Sequence, residues 1–324
     1  MASFFRSKTP LLAVTALSVS VVLAAQPPSG DPYADPANDV HNPLRYIASN
    51  TLTAISFSIL LITGVLQSLC MWKWGARFML PMTIGIYTFA AGLATRFALH
   101  SNPRSTSIYI VQNLLVVLSP CAFIAADYIL LGKLGTYLDT DKHLIVSSGK
   151  IAKVYIWADI TTFLIQAGGG GLSATGSTRP KLAQTGSNIF LAGLILQLIS
   201  FFTFCIVFVV FLHRVRMHCP DVWSKDKGLP WYNNWLTLAG ALGVSCIGII
   251  IRSIFRVIEL AQGYHGFLAT HEPYFYGLDT LPLFLAIAIY IPFWPGRIIG
   301  PGNENTKAFE MVPESRPYSS RQSL

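Results

Sequence analysis

Nine polar or ionisable side chains lie within or beside long apolar stretches: Arg96, Gln112, Asp159, Gln166, Arg252, Arg256, Glu259, Glu272 and Asp279. Three of them share a segment, GIIIRSIFRVIEL. At about 100° per residue, Arg252, Arg256 and Glu259 fall within about 60° of arc on one helix face. Arg256 and Glu259 form an i,i+3 pair, so this face partly neutralises itself. Asp279 opens the next apolar stretch after a short loop, with Glu272 just before it. Charge at membrane depth costs several kcal/mol unless it pairs or lines a cavity. Two kinds of chemistry suit such a set: stapling two helices together, or holding the charged head group of an amphiphile.

Catalysis and metal binding are not indicated. The histidines, His41, His100, His143, His213, His218, His265 and His271, all fall in loops or at the edges of apolar windows. None can join a metal cluster at membrane depth. The five cysteines, Cys70, Cys121, Cys205, Cys219 and Cys246, form no C-x-x-C motif, so neither a zinc site nor a disulfide framework is expected. Gly168 to Gly171 lack the following Lys-Ser/Thr and the preceding strand of a phosphate-binding loop. The glycine run is expected to end its helix and to let backbones approach closely. No catalytic residue, cofactor or metal is expected.

The elements that must position these groups are membrane helices. Of 324 residues, 52% are hydrophobic and only 12% charged, and mean hydropathy is positive. That composition excludes an ordinary soluble domain. Residues 1–25 read as a signal peptide, with Arg6 and Lys8 before a short apolar run. Residues 26–49, rich in Pro, Asp and Asn, read as an exposed, poorly ordered extracellular arm. Seven windows of membrane length follow: 51–71, 78–99, 108–131, 151–170, 188–212, 235–260 and 274–293. They predict an all-α, polytopic seven-transmembrane-helix bundle over residues 50–296. A disordered cytoplasmic tail, residues 297–324, completes the chain.

The net charge of +8 does not indicate nucleic acid, because Lys and Arg concentrate in alternate loops beside apolar windows. Their bias agrees with the signal peptide in placing the N-terminus outside and the C-terminus in the cytoplasm. Trp72, Trp74, Trp231, Tyr232, Trp235, Tyr274 and Trp294 sit at window ends, as an interfacial belt would. Pro120 and Pro282 are expected to kink their helices unless the freed carbonyls find partners. In this topology most of the nine polar groups reach one layer in the outer half. Asp159 lies just below it and completes a neutral balance.

Four segments carry a family resemblance: YIVQNLLVVLSPCAFIAADYILLGKL (109–134), WADITTFLIQAGGGGL (157–172), GSNIFLAGLILQLISFFTF (186–204) and IIRSIFRVIELAQGYHGFLATHEPYFYGLD (250–279). With Pro295-Gly296-Arg297, they make the chain similar to the fungal lipid-translocating exporter family, also called RTA-like. The resemblance covers most of residues 50–300. By motif it carries over Gln112, Pro120, Asp159, Gln166, Gly193, Gln197, Arg252, Arg256, Glu259, Gly263, Glu272 and Asp279. The second helix departs from the family's Glu-x-x-Gly-Tyr-x-x-Arg. It has Phe89, Gly92, Leu93 and Arg96, so Arg96 lacks an acidic partner on its own helix. Trp294 stands where the family often has His.

The resemblance implies a seven-helix membrane protein that exports lipids or amphiphilic toxic compounds, sphingoid-base-like or sterol-like, and so confers resistance. Its partners would be those molecules and the membrane, most often the plasma membrane reached by the secretory pathway. A receptor-like lipid sensor without transport is the alternative. Nothing in the sequence fixes an oligomeric state.

Overall fold

The computed structural model describes residues 31, 33–39, 42–138, 148–173, 180–224, 230–263 and 266–299. The expected signal peptide lies outside them, as do residues 300–324 of the expected tail. Each of the seven apolar windows coincides with helical backbone. The main helices are α1 (Asn50–Trp74), α2 (Leu80–Ser101), α3 (Thr106–Tyr137), α4 (Ser148–Ser173), α5 (Pro180–His218), α6 (Trp235–Ala261) and α7 (Leu281–Ala288). A helical turn, Glu272–Tyr274, and a π-helical stretch, Phe275–Thr280, lead directly into α7. Short polar residues start several helices. Ser49, Ser105 and Asn234 accept hydrogen bonds from the backbone N–H groups of Leu52, Ile108 and Leu236.

Consecutive helices run antiparallel and pack side by side, and α3 packs against α2, α4, α5 and α6. One end of the bundle gathers the starts of α1, α3, α5 and the Glu272 turn; we call it the Ser49 end. The Trp74 end is opposite. The bundle has an apolar interior, and its outward faces are apolar as well. On α6, Val244, Ile247, Ile251, Ile254 and Ile258 form an exposed apolar stripe. Its buried face carries Ser245, Arg252 and Arg256 among leucines and isoleucines. An outward apolar stripe over inward polar groups is what a hydrocarbon solvent selects. Among the described residues, α1, α2, α3, α5 and α6 are long and apolar enough to cross a membrane. This is a multi-pass membrane protein. Lys153, Asp159, Gln166 and the glycine run lower the hydropathy of α4, and α7 is short.

Several expectations are corrected. The glycine run does not end α4, which continues through Gly168–Gly171 to Ser173. A Cβ on Gly169 would lie 2.5 Å from the backbone nitrogen of Phe190, so the run serves close approach of α5. The last helix ends at Ala288 rather than near 293. Pro292 has no N–H to continue it, and Gln67 Nε2 donates to the Ile287 carbonyl (2.7 Å), satisfying one exposed helix end. Trp235 and Trp294 are fully buried and belong to no belt. Trp235 packs edge-on against Trp223, and Trp294 donates to the Gly75 carbonyl at 3.2 Å. Residues 42–48, expected as part of an exposed arm, pack onto the bundle. Asn42 and Ala48 are each 1% exposed, and Arg104 Nε donates to Asp39 Oδ2 at 2.7 Å.

Candidate functional site

Asp279 is the hub. It sits within the π-helical stretch, three residues before Pro282, and its side chain is fully buried. π-Helical insertions re-aim side chains and occur disproportionately where a helix does special work. Arg256 grips the carboxylate with a fork: Nε donates to Oδ1 (2.6 Å) and Nη2 to Oδ2 (2.8 Å). The third guanidinium nitrogen, Nη1, donates to Glu259 Oε2 at 3.0 Å, so the i,i+3 pair read from the sequence is made. Arg252 Nε lies 3.1 Å from Asp279 Oδ1, an ion pair without hydrogen-bond alignment. Two cations and two anions therefore form one neutral cluster, and the fork is the strong form of such a pair.

Arg252 has a second duty. Its Nη2 donates to the Val116 carbonyl at 2.8 Å, and Ser119 Oγ donates to the same oxygen at 3.1 Å. In a continuous helix that carbonyl would receive the N–H of residue 120, but residue 120 is proline. The carbonyl freed by Pro120 is thus satisfied by an arginine from α6. Pro282 has its own accommodation. A Cβ on Gly248 would fall 2.5 Å from the Pro282 carbonyl, so α6 presents glycine where α7 begins.

Arg96 forms a second node nearer the Ser49 end. It is 1% exposed, and its Nη2 donates to Glu272 Oε1 (2.8 Å) and to the Tyr46 hydroxyl (3.0 Å). The acidic partner missing from its own helix comes from 176 residues away. Glu272 also accepts from the backbone N–H of Ser49, the N-cap of α1. One carboxylate thereby fixes α1, α2 and the entry to α7. The Phe275 ring lies 4.5 Å from the Arg96 guanidinium carbon and 5.4 Å from that of Arg256. A single ring therefore links the two nodes through cation–π contacts.

Asp159 and Gln166 do not join this layer. They lie among α3, α4 and α5. Gln166 Nε2 donates to Gln197 Oε1 (2.8 Å), and Gln197 Nε2 to Cys121 Sγ (3.2 Å). Tyr128 and Ser200 face the Asp159 carboxyl, yet neither closes a hydrogen bond of good geometry with it. The displacement follows from helix pairing: α4 packs chiefly against α3 and α5. The sequence reading also left out a fully buried cluster toward the Trp74 end. Ser245 Oγ and Tyr290 Oη donate to the two oxygens of Asp127 at 2.7 and 2.8 Å. Asp127 stood in a window interior, but its two hydroxyl partners lie more than 100 positions away and carry no charge to flag them.

Two adjoining cavities, each about 50 Å³, open beside the Asp279 cluster. The first, at the Ser49 end, is lined by Tyr46, Arg96, Gln112, Arg256, Glu259 and Phe275, among others. The second runs sideways between α3, α5 and α6, past Val117, Phe190, Leu194 and Leu260. Arg256 and Glu259 line both; Asp279 and Arg252 line neither. Each cavity has room for a few waters. That is well below the roughly 300 Å³ of a small-molecule pocket, so the space seen here is closed to a lipid head group.

Compared with known proteins, residues 82–301 match the family model described as "RTA1 like protein". Protein RTM1 of Saccharomyces cerevisiae is 32% identical over 212 residues, 65% of this chain and 65% of its own. Protoporphyrin uptake protein 1 of the same yeast is 30% identical over 241 residues, covering 74% and 73%. Sphingoid long-chain base transporter RSB1, also from Saccharomyces cerevisiae, is 25% identical over 277 residues, covering 76% and 71%. The chain thus spans just under two thirds of the length of the first of these relatives. No solved structure matches it.

Proposed function

The chain belongs to the RTA1-like family, and from that premise we propose that it translocates lipids or amphiphilic compounds across a membrane. In this reading all seven helical segments span the bilayer, with the Ser49 end outside and the Trp74 end in the cytoplasm. The protein is a transporter of the plasma membrane and not an enzyme. Two relatives support the class of activity by name, one a sphingoid base transporter and one a protoporphyrin uptake protein.

The observation that carries the reading is the junction of the two cavities at Arg256 and Glu259. One cavity approaches the bundle end, where a head group would arrive. The other passes between α3, α5 and α6 along apolar side chains, where a hydrocarbon tail would lie. Glu259 is the group that takes the substrate. Its carboxylate is 18% exposed and, among the described residues, receives one hydrogen bond, from Arg256 Nη1. In a state with these cavities widened, an ammonium head group displaces that bond, while Arg256 keeps its fork to Asp279 and stays paired. Arg96, Gln112 and Glu272 shape the outer cavity and hold its walls. Arg252 and Asp279 are framework, and Asp159 and Gln166 act elsewhere.

The test is Glu259→Gln in proteoliposomes loaded with labelled sphingoid base. A charge-assisted hydrogen bond contributes about 1.5–3 kcal/mol, so the rate should fall about tenfold or more, with a smaller loss of thermal stability than Asp279→Asn because Asp279 still pairs both arginines. Unchanged flux in the variant would remove Glu259 from the substrate path. Ligand-dependent signalling with no lipid movement by the wild-type protein would replace transport by sensing.

A further inference from the structure

Asp159 is 3% exposed, and the hydroxyls of Tyr128 and Ser200 face its carboxyl without closing a hydrogen bond of good geometry among the described residues. The hydroxyl of Tyr128, fully buried beside it, is likewise without a well-aligned partner among the described residues. Around them is a close aromatic packing. The Tyr128 ring lies 4.5 Å from Phe204, 5.1 Å from Tyr155 and 6.4 Å from Phe201, centroid to centroid. The groups facing Asp159 are Tyr128 and Cys121 from α3 and Ser200 from α5, with Tyr155 of its own helix packed against the Tyr128 ring. Arg252 of α6 also acts on the Cys121 thiol, but it is committed to Asp279 and the Val116 carbonyl. Among the described residues no ion pair reaches Asp159.

Asp127 offers the contrast. It is equally buried and also lacks a cation, but two hydroxyls at 2.7 and 2.8 Å satisfy one oxygen each. A buried carboxylate with no cation and no well-aligned donor is costly. The proton is the one cation that relieves this cost without needing a cavity among packed rings.

We propose that Asp159 is a proton-exchange site that couples translocation to a proton gradient. The exchange is simple. A hydronium ion gives its proton to a carboxylate oxygen, an O–H bond forms, and water leaves; release is the reverse. In the packing seen here Asp159 holds the proton. A rearrangement of α3, α4 and α5 that admits water lets the proton go. The coupling rests on the translocation reading, whereas proton exchange at Asp159 does not.

The experiment uses the full chain in phosphatidylcholine–phosphatidylglycerol vesicles with two readouts. Infrared difference spectra across a pH titration report the carbonyl stretch of undissociated carboxylic acid. A band should be present in the wild-type protein, absent in Asp159→Asn, retained in Asp127→Asn and shifted in Tyr128→Phe. In the second readout, a one-unit pH difference across the vesicle should change labelled sphingoid-base flux severalfold in the wild type and leave Asp159→Asn unaffected. A spectrum unaltered by Asp159→Asn overturns the site. A variant whose flux keeps its response to the gradient overturns the coupling. If the wild-type protein moves no lipid, the translocation reading fails, and the spectra alone still decide whether Asp159 exchanges a proton.

Discussion

Replacing Asp279 with Asn should unfold the junction of α6 and α7. The carboxylate accepts two bonds from Arg256, at 2.6 and 2.8 Å, and pairs with Arg252 at 3.1 Å. The amide keeps the shape but removes the negative charge and turns one acceptor into a donor facing Arg256. Two buried guanidiniums would then share only Glu259. Breaking one partner from a buried ion pair costs about 3–5 kcal/mol. Against a total stability of about 5–15 kcal/mol, that is a large fraction. At about 2–4 °C per kcal/mol, the melting temperature in detergent should fall by about 6–20 °C. Adding Arg252→Met restores the charge balance, and the double variant should recover at least ~1 kcal/mol relative to the sum of the single effects. Thermal denaturation followed by size-exclusion chromatography measures all three proteins. A drop of less than about 2 °C in Asp279→Asn would refute the view that this cluster holds the helices together.

Two further substitutions probe the packing. Gly169→Val would force a side chain onto the Phe190 backbone and should cost at least 1–3 kcal/mol or prevent assembly of α4 on α5. Gly168→Ala meets nothing within 4 Å and should be neutral or stabilising by up to about 1 kcal/mol, as melting temperatures would report. Pro120→Ala supplies the N–H that Val116 lacks. Arg252→Leu should therefore destabilise the Pro120→Ala background by at least ~1 kcal/mol less than the natural one, as a double-mutant cycle would show.

Local periodicity made the helices legible. Each of the seven apolar windows overlaps a helix, and among the described residues five of these helices are long and apolar enough to cross a membrane, because both a core face and a lipid face demand apolar residues over that length. Helix ends were harder to read. α5 begins at residue 180, eight positions before its window, because Pro180 and the polar residues after it suit a helix start yet carry no apolar signal. The Arg256–Glu259 pair was legible because three residues on a helix is a fixed distance. Arg96–Glu272 was not, since the partner depends on which helices become neighbours. The same limit joined Asp159 to the wrong charge balance: its depth just below the layer followed from topology, but its azimuth is set by α3 and α5.

Framework and working group are interleaved on one helix face, so spacing alone could not separate them. Arg252, Arg256 and Glu259 occupy the same arc, and composition treats all three as intramembrane charge. The separation lies in what each group has left over. Arg252 is consumed by a carbonyl that Pro120 freed and by a carboxylate that the π-helical stretch delivers. Arg256 spends two of its nitrogens on Asp279 and only the third on Glu259. Glu259, with a single donor among the described residues and a view of both cavities, is on the proposed reading the member that changes partners. A cluster built this way keeps its helices fixed while one carboxylate trades an internal cation for an external one. Selectivity would then follow from how well a head group's ammonium replaces Arg256 Nη1 at about 3 Å from Oε2, and from how well its tail fits beside Phe190 and Leu194.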